Sequence, residues 1–336
     1  MNLFSLGQKA LFQLDAESAH TATIQMLSRM PKLAASTMGA KPSVLPREVC
    51  GLQFPNPVGV AAGLDKNGEC IDGLFAMGFG FVEVGTVTPR PQTGNPRPRV
   101  FRLVADQAII NRLGFNNKGV DNLVRNVERS QRRGPLGINI GKNADTPMER
   151  AVEDYLYCLE RVYPLADYVT INISSPNTRN LRDLQAPAAL EAFVGTLMER
   201  AEQLGGQHGS RPVAVKVAPD NDADQLRAMA KILKASGVPL VIATNTTISR
   251  PALQEQKLAE QSGGLSGKPL CELACQQLSL LRDELGSEVA LVGVGGLHDG
   301  PSAKARLNAG ADLLQVYTGF VYRGPALIQD MVAAAR

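Results

Sequence analysis

The sequence predicts an α/β protein: a (β/α)8 (TIM) barrel with an N-terminal helical extension and a small β-hairpin inserted after the second strand. Three observations predict it. Eight short runs rich in β-branched residues alternate with amphipathic stretches, each run ends in a polar or glycine cluster, and the alternation begins only near residue 57. Strand–helix alternation implies βαβ units and a parallel sheet. Eight such units favour a closed ring with the helices outside, and an open doubly wound sheet is the competing arrangement.

The elements follow in order. In residues 1–47, Leu3, Phe4, Leu6, Leu11, Phe12 and Leu14 make an apolar first helix. Asp15 can cap a second helix running to about Met30, where Pro31 stops it, and 38–46 reads as a linker. These helices either pack on the barrel or lie in a membrane interface with Lys9, Arg29 and Lys32 near head groups. The chain therefore divides into an extension, 1–47, and a catalytic barrel, 48–336. The barrel strands are expected at 57–63, 80–88, 137–141, 168–174, 213–218, 240–245, 290–295 and 313–318, with helices such as 151–162, 222–235 and 270–285 between them. A proline-rich stretch from Pro89 leads into two β-like runs, 99–104 and 108–111. They form the expected hairpin, on the face where barrel loops build active sites.

Composition narrows the function. Hydrophobic residues are 44% of the 336, charged residues 20%, and the net charge is +3. That suits a large core and gives no reason to expect a nucleic-acid partner. The five cysteines (50, 70, 158, 271, 275) form no C-x-x-C pair, and Cys271 and Cys275 sit one helical turn apart. A reducing compartment is expected. His20, His208 and His298 do not cluster, so no metal centre is expected. No apolar run reaches the roughly 18 residues of a membrane span, and no secretory leader pattern opens the chain.

Strand parity points to the site, because alternate residues face opposite sides. Val213, Val215 and Val217 face the outer helices, so Lys216 points inward. In the fourth strand Val169, Ile171 and Ile173 face out, while Thr170, Asn172 and Ser174 face in. In the third, Ile138 and Ile140 face out and Asn139 faces in. Branched apolar side chains would fill an ordinary barrel interior, and unpartnered buried polar groups cost a few kcal/mol each. Either a flat polar ligand or a water-filled internal network must satisfy them. The strand ends are Ala62-Gly63-Leu64-Asp65-Lys66, Gly85-Thr86-Val87-Thr88, Asn139-Ile140-Gly141-Lys142, Asn172 through Thr178, Lys216 through Asp220, Thr244-Asn245-Thr246-Thr247, Gly293-Val294-Gly295-Gly296 and Tyr317-Thr318-Gly319. Gly295-Gly296 and Thr318-Gly319, after strands seven and eight, suit a phosphate, with Ser266-Gly267 as further donors. A Rossmann fingerprint fails at His298, where its third glycine should stand. Lys216 favours a flavin, whose electron affinity a fixed cation raises. A Schiff-base lysine of an aldolase-type barrel is the alternative.

These segments resemble the quinone-reducing, membrane-associated (class 2) dihydroorotate dehydrogenases over nearly the whole chain. The motifs carrying the resemblance are AGLDKNGE, GTVTPRPQTGNPRPR, NRLGFNN, GINIGKN, INISSPNT, KVAPD, ATNTT and GGLSGKPL. The resemblance implies FMN, oxidation of dihydroorotate to orotate in de novo pyrimidine (UMP) biosynthesis, and electron delivery to a membrane quinone. It also implies peripheral contact with the cytoplasmic side of the inner membrane through the N-terminal helices; a monomer is expected. Carried over by motif, the cofactor contacts are Ala62, Gly63, Lys66, Thr86, Asn139, Asn172, Lys216, Thr244, Gly267, Gly296, Tyr317 and Thr318. The substrate contacts are Lys66, Asn111, Arg112, Leu113, Gly114, Phe115, Asn172, Asn177, Asn245 and Thr246. Ser175 matches the base that takes the C5 proton as hydride leaves C6; soluble relatives carry cysteine there. Asparagine amides match the donors and acceptors of a dihydropyrimidine ring. Serine is a poor base unaided, so a hydrogen-bonded relay is needed, and Thr178 is one candidate for it. One departure falls at Arg179-Asn180, where the family usually has Pro-Gly; asparagine tolerates the left-handed conformation.

Overall fold

The computed structural model describes residues 3–41 and 43–336, with side chains from residue 6 onward. The expected apolar contributions of Leu3 and Phe4, and Pro42 within the 38–46 linker, lie outside the described residues. Three helices come first: α1 (Leu3–Gln13), α2 (Ala16–Arg29) and α3 (Pro31–Thr37). Asp15 caps α2, accepting from the amides of Glu17 and Ser18 at 3.1 and 3.0 Å. Pro31 begins α3, where the sequence predicts only a stop. At the first helical position proline loses no hydrogen bond, so the chain kinks at Met30 and continues as helix. α2 and α3 pack on the first barrel helix through Leu27 and Ala34, both buried.

A hairpin of β1 (Arg47–Val49) and β2 (Leu52–Phe54) then closes the barrel floor, Phe54 meeting Phe81 edge-on with ring centroids 5.2 Å apart. Its three-residue strands are too short to display a period in the sequence. The alternation follows: β3 (Val58–Val60), α4 (Ile71–Ala76), β4 (Phe81–Val87), the inserted β5 (Val100–Leu103) and β6 (Ala108–Asn111), α5 (Val120–Arg129), β7 (Leu136–Ile140), α6 (Ala151–Val162), β8 (Tyr168–Asn172), α7 (Pro187–His208), β9 (Val213–Val217), α8 (Ala223–Ala235), β10 (Leu240–Ala243), α9 (Gln256–Ala259), β11 (Gly264–Gly267), α10 (Cys271–Leu285), β12 (Ala290–Val294), α11 (Gly300–Asn308), β13 (Leu313–Val316), α12 (Thr318–Arg323) and α13 (Pro325–Ala334).

Eight strands close a parallel barrel in the order β10-β12-β13-β3-β4-β7-β8-β9, seven of them inside the predicted runs and β7 starting one residue earlier, at Leu136. The hairpin β5–β6 stands where expected, and β11 adds to it antiparallel as a third strand. Its sequence, Gly-Leu-Ser-Gly, carries little strand propensity; pairing with β6 and an antiparallel bridge from Leu265 to Thr247 hold it extended. Parity holds. Ile138, Ile140, Val169, Ile171, Val213, Val215 and Val217 join the shell core with the outer helices. Phe81, Tyr168, Ala214, Leu240, Ile242, Val292 and Leu313 form a separate inner core above Phe54.

Candidate active site at the barrel mouth

Above that inner apolar layer the barrel turns polar. Glu83, from β4, is fully buried and accepts from Asn139 Nδ2 (2.9 Å), Tyr168 Oη (3.0 Å) and Gln315 Nε2 (2.7 Å). With its Nδ2 committed there, Asn139 presents Oδ1 upward, to Thr86 Oγ1 at 2.6 Å and Asn172 Nδ2 at 3.2 Å. Asn172 in turn presents Oδ1 to Ser174 Oγ (3.1 Å) and Asn245 Nδ2 (3.4 Å). One buried carboxylate thus sets the polarity of a chain of amides climbing toward the mouth. The sequence reading missed Glu83; its signal was a carboxylate inside the apolar run Val82-Glu83-Val84, inward by parity.

Lys216 lies beside Asn172 in register across β8 and β9. It is buried, faces the same cavity, and makes no hydrogen bond among the described residues. Burial lowers its ammonium pKa and the Glu83 charge opposes that shift.

The cavity, about 1110 Å³, begins at these strand ends and runs to the underside of α1 and α2. Ala62, Gly63, Lys66, Thr86, Asn172, Lys216, Thr244, Gly267, Gly296, Tyr317 and Thr318 line it, as do Asn111, Leu113, Gly114, Phe115, Ser175, Asn177, Asn245 and Thr246. The structure therefore gathers most of the predicted site. Two predicted contacts stand elsewhere. Asn139 is inside the barrel but one layer down, acting through Thr86 and Asn172. Arg112 turns outward: its guanidinium stacks on Phe101 at 4.7 Å and donates to Gln261 Oε1 (3.0 Å) and Pro98 O (2.8 Å), which anchors the β6–β11 edge.

The substrate side is built on loops with specific tethers. Ser175 follows β8, is buried, and its Oγ accepts from the Asn177 amide at 3.3 Å. No hydrogen bond joins Ser175 to Thr178, so the expected relay is not formed among the described residues. Asn177 Nδ2 donates to Asn111 O at 3.1 Å and Oδ1 at 3.3 Å. Asn180 adopts φ +56°, the left-handed conformation that lets it replace glycine. Arg182 then pins the loop: it donates to Ser174 O (3.0 Å) and Thr246 O (3.1 Å) and pairs with Asp220 at 2.8 Å. Lys66 donates to Gly63 O at 2.8 Å, and burial pushes its ammonium down to about 8.

The phosphate-type cradle is equally defined. A Cβ on Gly296 would fall 2.1 Å from Cys271 Cα, so only glycine lets this loop lie against the start of α10. Its amide donates to no acceptor among the described residues and it faces the cavity. Ser266 Oγ and Thr318 Oγ1, 2.8 Å apart, join the β11 and β13 ends beside it. A buried ammonium with no hydrogen bond among the described residues and a glycine cradle with a free amide line the same cavity, and together they fit a planar cofactor with an anionic tail.

Fold and site together define a (β/α)8-barrel enzyme that works at the C-terminal mouth on planar, anionic ligands. The dihydroorotate dehydrogenase family model matches residues 44–334. Among similar proteins are the dihydroorotate dehydrogenases (quinone) of Burkholderia cenocepacia, 53% identical over 99% of this chain and 97% of that protein, and of Burkholderia multivorans, 54% identical with the same coverage. Among solved structures, the Eimeria tenella dihydroorotate dehydrogenase bound to ferulenol superposes with a TM-score of 0.87 at 36% identity, covering 96% of this chain and 90% of that one. The chain belongs to the dihydroorotate dehydrogenase family, and membership implies a flavin cofactor.

Proposed function

We propose that the chain oxidises dihydroorotate to orotate for de novo pyrimidine biosynthesis, using FMN as cofactor and a membrane quinone as final acceptor. One observation carries this reading: a single cavity is lined both by Ser175, Lys216 and the amides of the barrel mouth and by residues of α1 and α2. Bound FMN would supply hydride acceptance there.

The chain's own groups do the rest. Lys66 offers an ammonium to the substrate carboxylate. Asn111, Asn177 and Asn245 offer amide edges to the substrate ring, Asn245 fixed by the chain rising from Glu83 and Asn177 by its bonds to Asn111. Phe115 and Leu113 exclude water from the reacting face. Ser175 takes the C5 proton; a serine is a weak base unless its proton is passed on. Ala62, Gly63, Thr86, Asn172, Lys216, Thr244 and Tyr317 would hold the cofactor ring, and Gly267, Gly296 and Thr318 its phosphate.

The division at residue 47 follows this split of labour, with chemistry in the barrel and quinone access in the extension. Leu6, Leu14, Met30 and Leu33 are exposed on α1–α3, beside Lys9, Arg29 and Lys32. No helix among the described residues is long and apolar enough to cross a membrane. This supports peripheral binding to the cytoplasmic face of the inner membrane. His20 lines the cavity, and burial takes its imidazole down to about 4. It is neutral at physiological pH, with Nε2 donating to Leu64 O at 2.6 Å. A monomer is the working unit we propose.

An absorption spectrum tests the reading: the purified protein is expected to be yellow and to bleach with dihydroorotate under anaerobic conditions. A spectrum that dihydroorotate leaves unchanged, on flavin-loaded protein, refutes the substrate. Deleting residues 1–40 should abolish quinone reduction while flavin reduction by dihydroorotate persists. Equal loss of both half-reactions would make the extension purely structural.

A further inference from the structure

Arg306, on α11, is the largest fully buried side chain in the protein. Its stem crosses β12 at Gly293, where a Cβ would come within 2.5 Å of its Cγ. The guanidinium ends behind the Gly295-Gly296 loop, on the side away from the cavity. It donates to Val294 O (3.1 Å), Gly295 O (2.9 Å) and Cys271 O (3.0 Å), while Nε has no partner. No carboxylate among the described residues offsets its charge.

Arginine keeps its proton in proteins. A buried cation without an anion is expensive, and carbonyl dipoles recover only part of that cost. The geometry supplies a reason to tolerate it. In a trans peptide, carbonyl and amide point in opposite directions. Val294 O also accepts the Thr244 amide of the neighbouring strand end, so the carbonyl that Arg306 sets is that of Gly295: holding it on the helix side turns the Gly296 amide, which has no acceptor among the described residues, toward the cavity. The same guanidinium reaches Cys271 O and so ties this loop to the start of α10. It also places a fixed positive charge one peptide layer behind the cradle, where little water screens it.

We infer that Arg306 is a positioning residue for the cofactor phosphate: it aims the Gly296 amide at the phosphate and makes the chain select a phosphorylated flavin over its unphosphorylated form. This rests on the FMN reading above. It places the selectivity for the phosphate in a residue that never touches it.

The test uses the full chain, stripped of flavin and titrated with FMN and with riboflavin by fluorescence quenching. The wild type is expected to prefer FMN. Arg306→Met should reduce that preference by about tenfold or more, the size of a lost interaction with a charged group, with riboflavin affinity nearly unchanged. Arg306→Gln, which retains donors but no charge, should lose it similarly and serves where the methionine variant does not fold. Arg306→Lys should keep most of it. FMN and riboflavin weakening together, or an unchanged ratio in the neutral variants, overturns the inference and leaves Arg306 a packing residue. A wild type that binds riboflavin as tightly as FMN overturns it too, with the flavin site intact. A wild type that binds neither overturns the cofactor reading as well.

Discussion

Ser175→Ala is expected to slow flavin reduction by dihydroorotate by about 10²- to 10⁴-fold, the usual contribution of a positioned general base, with flavin still bound. The side chain touches the cavity but holds none of the scaffold: its Oγ only accepts from the Asn177 amide at 3.3 Å. Removing it should leave the loop in place, because Arg182 pins that loop independently through Ser174 O, Thr246 O and Asp220. Stopped-flow reduction measures the effect, and a rate within a few-fold of wild type would remove Ser175 from the chemistry. The pH profile carries a second signature. The Lys66 pKa is pushed down to about 8 in the free protein, so its ammonium is present below pH 8 and is lost as pH rises through it. Affinity for the anionic product orotate should therefore fall above pH 8. An affinity that stays flat through pH 8 would show that Lys66 does not hold the carboxylate.

How much of this was legible beforehand depended on whether a residue's signal was local. The eight barrel strands show as β-branched runs because burial on both faces demands continuous apolar sequence. Parity alone then placed Lys216, Asn139 and Asn172 inside, since a strand has only two faces. Elements fixed by contact rather than pattern were invisible. The Gly264–Gly267 strand is held by β6 on one side and by Thr247 on the other, and β1–β2 is anchored on the barrel floor through Phe54. Arg112 shows the converse limit. Its neighbours 111 and 113–115 all face the cavity, yet one side chain in the same stretch turns away to stack on Phe101. Asn139 was oriented correctly, but its depth beneath Thr86 and Asn172 was not legible, because parity gives a face and not a depth. Arg306 had no signal at all, since a lone arginine on an amphipathic helix reads as solvated until the coordinates show it threaded past Gly293.

Lys216→Met is expected to lower the midpoint potential of the bound flavin by roughly 30–60 mV. Losing one hydrogen bond from a charged donor is worth about 1.5–3 kcal/mol, and about 1.4 kcal/mol corresponds to 30 mV for a two-electron couple. The direction follows from the site's electrostatics: a fixed cation beside the cofactor ring favours added negative charge, and Lys216 is the buried ammonium facing that part of the cavity. Its charge is itself held by a neighbour. Burial drives the Lys216 pKa down while the Glu83 carboxylate resists. Glu83 is buried and accepts from Asn139, Tyr168 and Gln315. Neutralising it in Glu83→Gln should lower the Lys216 pKa further, so that the potential of this variant falls with rising pH earlier than in the wild type. The methionine variant should lack that lysine-dependent break. Potentiometry across a pH series reads both effects. A potential unmoved by Lys216→Met, or a break at the same pH with and without the Glu83 charge, would mean that the barrel's buried carboxylate and ammonium do not act as one electrostatic unit beneath the cofactor.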